Sequence, residues 1–227
     1  MQVTINDIQF DIPFDTELIK LSDFLEWHNQ YGKKLNEELK QILDDKDLKD
    51  VDKMVRLEDY LDREALCWFC FWTKTDEEEA SKQPGMVQFL DRYRVLKTLL
   101  NENNYEFPYE TEWQGEQWQI EAFTLTPASE MNFNEIITSK EVMRQVYKIG
   151  EDNWTGLPYL CCVYFRKKGE AFEDSMIHEG SERMELMNSL PLKHALAVAF
   201  FLNICVNIWS KTLVSSQDEV EETARLN

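Results

Sequence analysis

Basic residues are in short supply. The chain carries 24 Lys and Arg against 43 Asp and Glu, a formal net charge of −19 and an isoelectric point near 4.5. A surface of that sign repels a phosphate backbone, so direct nucleic-acid binding is disfavoured. Glycine and proline are scarce as well, 7 and 6 among 227 residues, which excludes collagen-like and low-complexity chains. The seven glycines are scattered along the chain. None forms the G-x-G-x-x-G or G-K-[ST] cluster that turns backbone amides toward a phosphate, and no G-x-S-x-G nucleophile elbow occurs. Histidine is limited to His28, His178 and His194, far apart and without an H-E-x-x-H pair. Neither a metal site nor a Ser-His-Asp triad is expected from that set.

Long apolar runs are missing too. The most apolar stretch, Ala195 to Trp209, has 15 residues and is interrupted by Asn203 and Asn207, whereas a spanning helix needs about 20 mostly apolar residues. It reads as a buried core helix, and no membrane partner is expected. Met1 to Asp7 show neither a basic start nor an apolar run, so no secretory signal is expected. Five cysteines, Cys67, Cys70, Cys161, Cys162 and Cys205, lie inside aromatic or aliphatic runs. An odd number in that setting reads as reduced core cysteine of a cytoplasmic protein. Cys67-Trp68-Phe69-Cys70 matches C-x-x-C, but a zinc site needs two more close ligands, and a redox motif belongs at a helix start.

Carboxylates abound, mostly in solvated runs such as Glu37-Glu38 and Asp76 to Glu79. Glu64, inside an aromatic helical segment, is the exception. Pairing with Arg63, Arg56 or a neighbouring helix end is expected for it. No catalytic residue, metal or cofactor is assigned, and the chain reads as a non-enzyme.

What is present is apolar periodicity. Hydrophobic residues make up 43% and aromatics 12%, enough for a sizeable core. Alternation over 3–12, with a turn at Asn6-Asp7 and a stop at Pro13, predicts a β-hairpin. Leu21, Phe24, Leu25, His28, Tyr31, Leu35, Leu39 and Ile42 recur at helical steps, with a disturbance at Gly32 and Ser22 as N-cap. Residues 44–53 read as a charged connector. A second helix carries Leu57, Leu61, Ala65, Trp68 and Trp72. Asp76 to Gly85 reads as a loop, and a third helix carries Phe89, Tyr93, Leu96 and Leu100.

The order then repeats. Trp113 to Ile120 reads as a second hairpin. Asn132 and Glu135 form a capping box, stapled by Met131 and Ile136. Phe133 to Ile137 aligns with Leu21 to Leu25, and Leu160 to Phe165 with Leu66 to Phe71. The expected fold class is therefore α+β, predominantly helical. It has two similar halves, 1–104 and 105–214, each a hairpin followed by about three helices, sharing one core. Residues 215–227 form an acidic tail.

Seven tryptophans complete the inventory. Trp68, Trp72, Trp154 and Trp209 fall at core-like positions, and Trp118 packs inward with Ile120. Trp27 and Trp113 lie off the inferred core faces and are the candidate partner contacts, since exposed aromatics serve as interface anchors.

The hairpin ending in Ile12-Pro13 and the helix start Leu21-Ser22-Asp23-Phe24-Leu25-Glu26 resemble the opening of small tailed-phage tail assembly chaperones. Tyr164 to Glu170, Leu190-Pro191-Leu192 and Ala197 to Phe201 also look like that group, in particular morphogenesis proteins of phages of Bacteroides-like bacteria. The resemblance implies a non-enzymatic assembly factor that binds other phage structural proteins of the tail or connector, or a structural component of the virion. It also implies a place in the cytoplasm of the infected bacterial host or in the particle. The alternative, from charge alone, is an acidic mimic of nucleic acid that blocks a host DNA-binding enzyme.

Overall fold

The computed structural model describes residues 1–100, 110–120, 137–138, 141 and 154–202. Strands β1 (Gln2–Ile5) and β2 (Ile8–Asp11) pair antiparallel, Ile5 opposite Ile8. Asn6 and Asp7 close the hairpin at φ 50° and 63°. That left-handed turn follows the strands' own twist, and Asn and Asp are the side-chain-bearing residues that tolerate it best. Strands β3 (Glu110–Trp113) and β4 (Glu116–Ile120) repeat the device with Gln114 and Gly115 at φ 54° and 75°. The second sheet has a third member that the sequence pattern does not announce. Strand β5 (Phe165–Lys167) pairs antiparallel with β4.

Helix α1 (Leu21–Trp27) runs through a π-helical turn, His28–Gly32, into α2 (Lys33–Asp44). The turn sits where the sequence places its disturbance. Gly32 has an ordinary helical φ of −58°, so space rather than backbone conformation demands glycine. A Cβ there would lie 2.5 Å from Nδ1 of the buried His28. Elsewhere in a helix, alanine for glycine gains about 1 kcal/mol. Gly32→Ala is instead expected to cost about 1 kcal/mol in urea melts, because a packed imidazole must move. A stabilised variant would contradict this.

The helix start also differs from expectation. Helix α1 begins at Leu21, one residue before the expected cap Ser22, and no side chain caps it. The Leu21 N–H donates to Leu190 O at 2.8 Å, and Leu192 N–H donates to Ile19 O at 2.8 Å. Backbone from the far end of the chain thus supplies what a cap would. This seam, centred on the Lys20–Pro191 bridge, ties the start of α1 to the last described helix.

Helix α3 (Asp50–Thr73) begins inside the segment expected as connector, with Asp50 and Asp52 favoured by its positive N-terminal end. The expected loop after it holds a short helix, α4 (Glu77–Ser81), because the Asp76 carboxylate accepts the Glu79 N–H at 2.8 Å. Helix α5 (Met86–Leu99) buries Phe89, Tyr93 and Leu96 as the spacing predicts. Then come α6 (Leu157–Tyr164), α7 (Glu182–Asn188), capped by Ser181 Oγ, and α8, helical over 192–202.

The fold is α+β and predominantly helical. Its apolar core runs from Ile5 to Leu202 and draws on both halves of the chain. Within α8, Ala195 to Val198 and Phe200 to Leu202 are all buried, so that helix is covered on several sides. Leu66 to Phe71 lies wholly within α3, whereas Leu160 to Tyr164 ends α6 and Phe165 turns into β5. The expected staple and capping box at 131–136, the first helix of the second half, the boundary near 104, Trp209 and the tail 215–227 lie outside the described residues.

Candidate partner-binding cleft

Pro13 lacks an N–H and ends the first hairpin. The loop after it is then folded by local bonds. Asp15 accepts the Glu17 N–H on its carboxylate at 2.9 Å and the Leu18 N–H on its carbonyl at 2.9 Å. Thr16 and Ile19 turn inward, and Leu18 is thrown out, 70% exposed. Two contacts hold the loop on the body. Phe14 meets Phe89 edge-on at 5.1 Å, and Trp68 Nε1–H donates to Pro13 O at 3.4 Å.

Between this loop, the end of α3 and the middle of α5 lies a cleft of about 530 Å³. Phe14, Trp72 and Leu18 supply its apolar surface, and Asp11, Asp15 and Asp23 line it with carboxylates. The cations on it are Arg92 and the Met1 amino group, the latter bound to Ile12 O at 2.6 Å. Trp72 is fixed by edge-on contacts with Trp68 at 5.8 Å and Phe71 at 5.3 Å. Rigid aromatic surface beside acidic oxygens suits an aliphatic side chain flanked by Lys or Arg. No His, Cys, Ser or Thr is among the described residues that line the cleft.

The residues singled out in the sequence are placed differently. Trp27 is only 5% exposed, edge-on to Trp68 at 5.2 Å and beside Phe24 at 5.9 Å. The buried arc of α1 is wider than one apolar line and takes in the position three after Phe24. The exposure that made Trp27 a contact candidate is therefore corrected. Trp113 is partly buried, 5.0 Å from Trp118 and 6.1 Å from Phe165. Its carbonyl accepts the Trp118 indole N–H at 2.9 Å. The structure does not bring Trp27 and Trp113 together in one site.

Glu64 is buried, and its partner is Lys97 in the last turn of α5 at 2.7 Å, with Tyr60 O–H donating at 3.2 Å. Arg63 binds Glu38 instead, and Arg56 lies near Asp45. Cys67 and Cys70 are free thiols inside α3, pushed up to about 12 and about 11, mainly by burial. Thiols held so far from the thiolate are poor nucleophiles. His28 is buried and His178 exposed. His194 stacks on Phe165 at 5.5 Å, and burial foremost lowers its pKa.

A feature the sequence did not single out is the buried Arg183. It donates to Phe165 O at 2.7 Å, pairs with Glu170 at 3.2 Å and lies 4.8 Å over the Trp118 ring. No local motif signals it, because its partners come from other elements. The cleft has a faint signal. Phe14 and Leu18 stand four apart among acids, in the stretch between the first hairpin and the first helix.

Among the described residues, no group of three His, Cys, Asp or Glu could hold a metal ion, and no helix is long and apolar enough to cross a membrane. Comparison of the chain with protein-family models, with curated proteins and with solved structures gives no match.

Proposed function

We propose that this chain works by binding another protein, with no turnover of its own, and that the cleft between Phe14, Leu18 and Trp72 receives the partner. The observation that carries the reading is an aromatic floor beside three aspartates, with Leu18 70% exposed above it. A partner segment presenting an apolar anchor between basic residues fits it. The net charge of −19 steers such a partner in, and the desolvated apolar contact holds it. The motif resemblance supplies the setting, the assembly of tailed-phage particles, with the chain as a tail assembly chaperone or as a virion component. It would act in the cytoplasm of the infected host or within the particle. The mimic reading gains nothing from the order of charges. Along α3 the carboxylates are interrupted by Lys53, Arg56 and Arg63, with Arg63 paired to Glu38 at 2.9 Å.

Co-expression with the phage's tail and connector proteins, followed by pull-down, tests the proposal. Recovery of one of them is expected, weakened by raised salt and reduced at least about tenfold by Asp11→Lys with Leu18→Glu, both solvent-facing changes. Recovery of a host nuclease or polymerase alone would move the case to the mimic, and hydrolysis or transfer of a small substrate would end the reading.

A further inference from the structure

One charge on the cleft is at odds with its acidic lining. Helix α5 sets Phe89 against Phe14 at 5.1 Å and Tyr93 against Trp68 at 6.1 Å. Arg92, exposed and three residues after Phe89, lines the cleft from that helix. The aspartates come from other elements, Asp11 from the end of β2, Asp15 from the loop and Asp23 from α1. Among the described arginines, Arg56, Arg63, Arg94 and Arg183 pair with carboxylates, and Arg166 donates to the Glu170 carbonyl. Arg92 has no hydrogen bond or ion pair among the described residues. Its own helix offers no carboxylate, since the positions three and four away are Gln88, Phe89, Val95 and Leu96. In a chain with 43 Asp and Glu against 24 Lys and Arg, a guanidinium left without a carboxylate stands out.

We infer that Arg92 selects the partner by binding an Asp or Glu side chain of the segment that occupies the cleft, an inference that rests on the cleft reading above. A cleft meant for a uniformly basic segment loses affinity by holding a cation in its wall, because a partner lysine on that side meets like charge. A segment with a carboxylate there escapes the penalty. That carboxylate is repelled by the net charge of −19 and by the aspartates, except where the guanidinium offers paired N–H donors in a planar fork. The occupant is therefore a peptide segment with charges of both signs. Its apolar anchor lies on Phe14 and Trp72, with Lys or Arg toward the aspartates and Asp or Glu at Arg92. Both signs together also fix the direction in which the segment lies, which one sign leaves open.

Selection from an amidated peptide library by the purified full chain tests this, with leucine fixed at the centre and the flanking positions randomised. Amidation removes the chain-end carboxylate, so only side chains compete. Captured peptides are expected to carry Lys or Arg on one side of the leucine and Asp or Glu on the other. Arg92→Glu, a change at an exposed position, should replace the acid by Lys or Arg with an unchanged circular dichroism spectrum, whereas Arg92→Lys should keep it. Exchanging the acid for lysine in one selected peptide should weaken binding to the unsubstituted chain at least about tenfold and restore binding to Arg92→Glu. Capture of no peptide, of peptides with basic flanks and no acid, or with an acid that Arg92→Glu leaves in place, would overturn the inference. Those results leave the cleft reading standing. Peptides held equally well after Asp11→Lys with Leu18→Glu would overturn both.

Discussion

Trp68→Ala is expected to cost about 3–5 kcal/mol, a large fraction of the small net stability of a folded domain. Trp68 is 1% exposed. Its ring sits within 5.2–6.4 Å of Trp27, Phe71, Trp72 and Tyr93, and its N–H holds the loop carbonyl of Pro13. Alanine would leave a cavity among rings that cannot collapse onto one another, since each is fixed by further neighbours. It would also release the loop that forms one wall of the cleft. Urea melts followed by tryptophan fluorescence and circular dichroism should show the loss. A change below about 1 kcal/mol would mean that the aromatic cluster does not organise the core.

The second large effect is expected at Arg183. Arg183→Met should cost about 3 kcal/mol, although the substitution keeps much of the side chain's apolar volume. What goes is the donor to Phe165 O, the partner of Glu170 and the cation over Trp118. Burial already lowers the pKa of this guanidinium, with Glu170 acting in the opposite sense, so the charge is tolerated because of those partners. Arg183→Lys should recover only part of the loss. A single ammonium cannot reproduce the planar fork that reaches a carbonyl and a carboxylate together. If methionine proved neutral in denaturant melts, the cluster would be incidental to the packing of β5 against α7.

These two residues also show what the sequence made legible. Trp68 belongs to a helical run in which nearly every residue is apolar, so its burial could be read from periodicity. Both hairpins were legible for a similar reason, because Asn6-Asp7 and Gln114-Gly115 are local turn chemistry between alternating residues. The face of α5 and the burial of 195–198 and 200–202 followed from spacing alone. Arg183 could not be read this way. Its partners lie 13 and 18 residues upstream, and its ring contact with Trp118 is more distant still. Glu64 stood out as a carboxylate in an aromatic helix. Of the partners expected for it the neighbouring helix end is the one found, Lys97 in the last turn of α5 and 33 residues away, while Arg63 and Arg56 bind elsewhere. Strand β5 escaped because three residues are too few for a period-two signal. Trp27 was misplaced for a geometric reason, since a helix packed on two sides buries a wider arc than its most apolar line. The cleft lies on a loop whose shape depends on Asp15 side-chain bonding and on rings from α3 and α5. No sequence period describes that arrangement.

The central claim is that a protein partner seats in the cleft of Phe14, Leu18 and Trp72. Photo-crosslinking from position 18 in the infected host tests it most directly, with a benzoyl-phenylalanine replacing the exposed Leu18 and the same probe at the exposed Val87 of α5 as comparison. The account predicts one dominant adduct from position 18, joined to a lysine- and arginine-bearing segment of a phage structural protein, and lost when Asp11→Lys is added. No adduct from position 18, or the same adduct in equal yield from position 87, would contradict it.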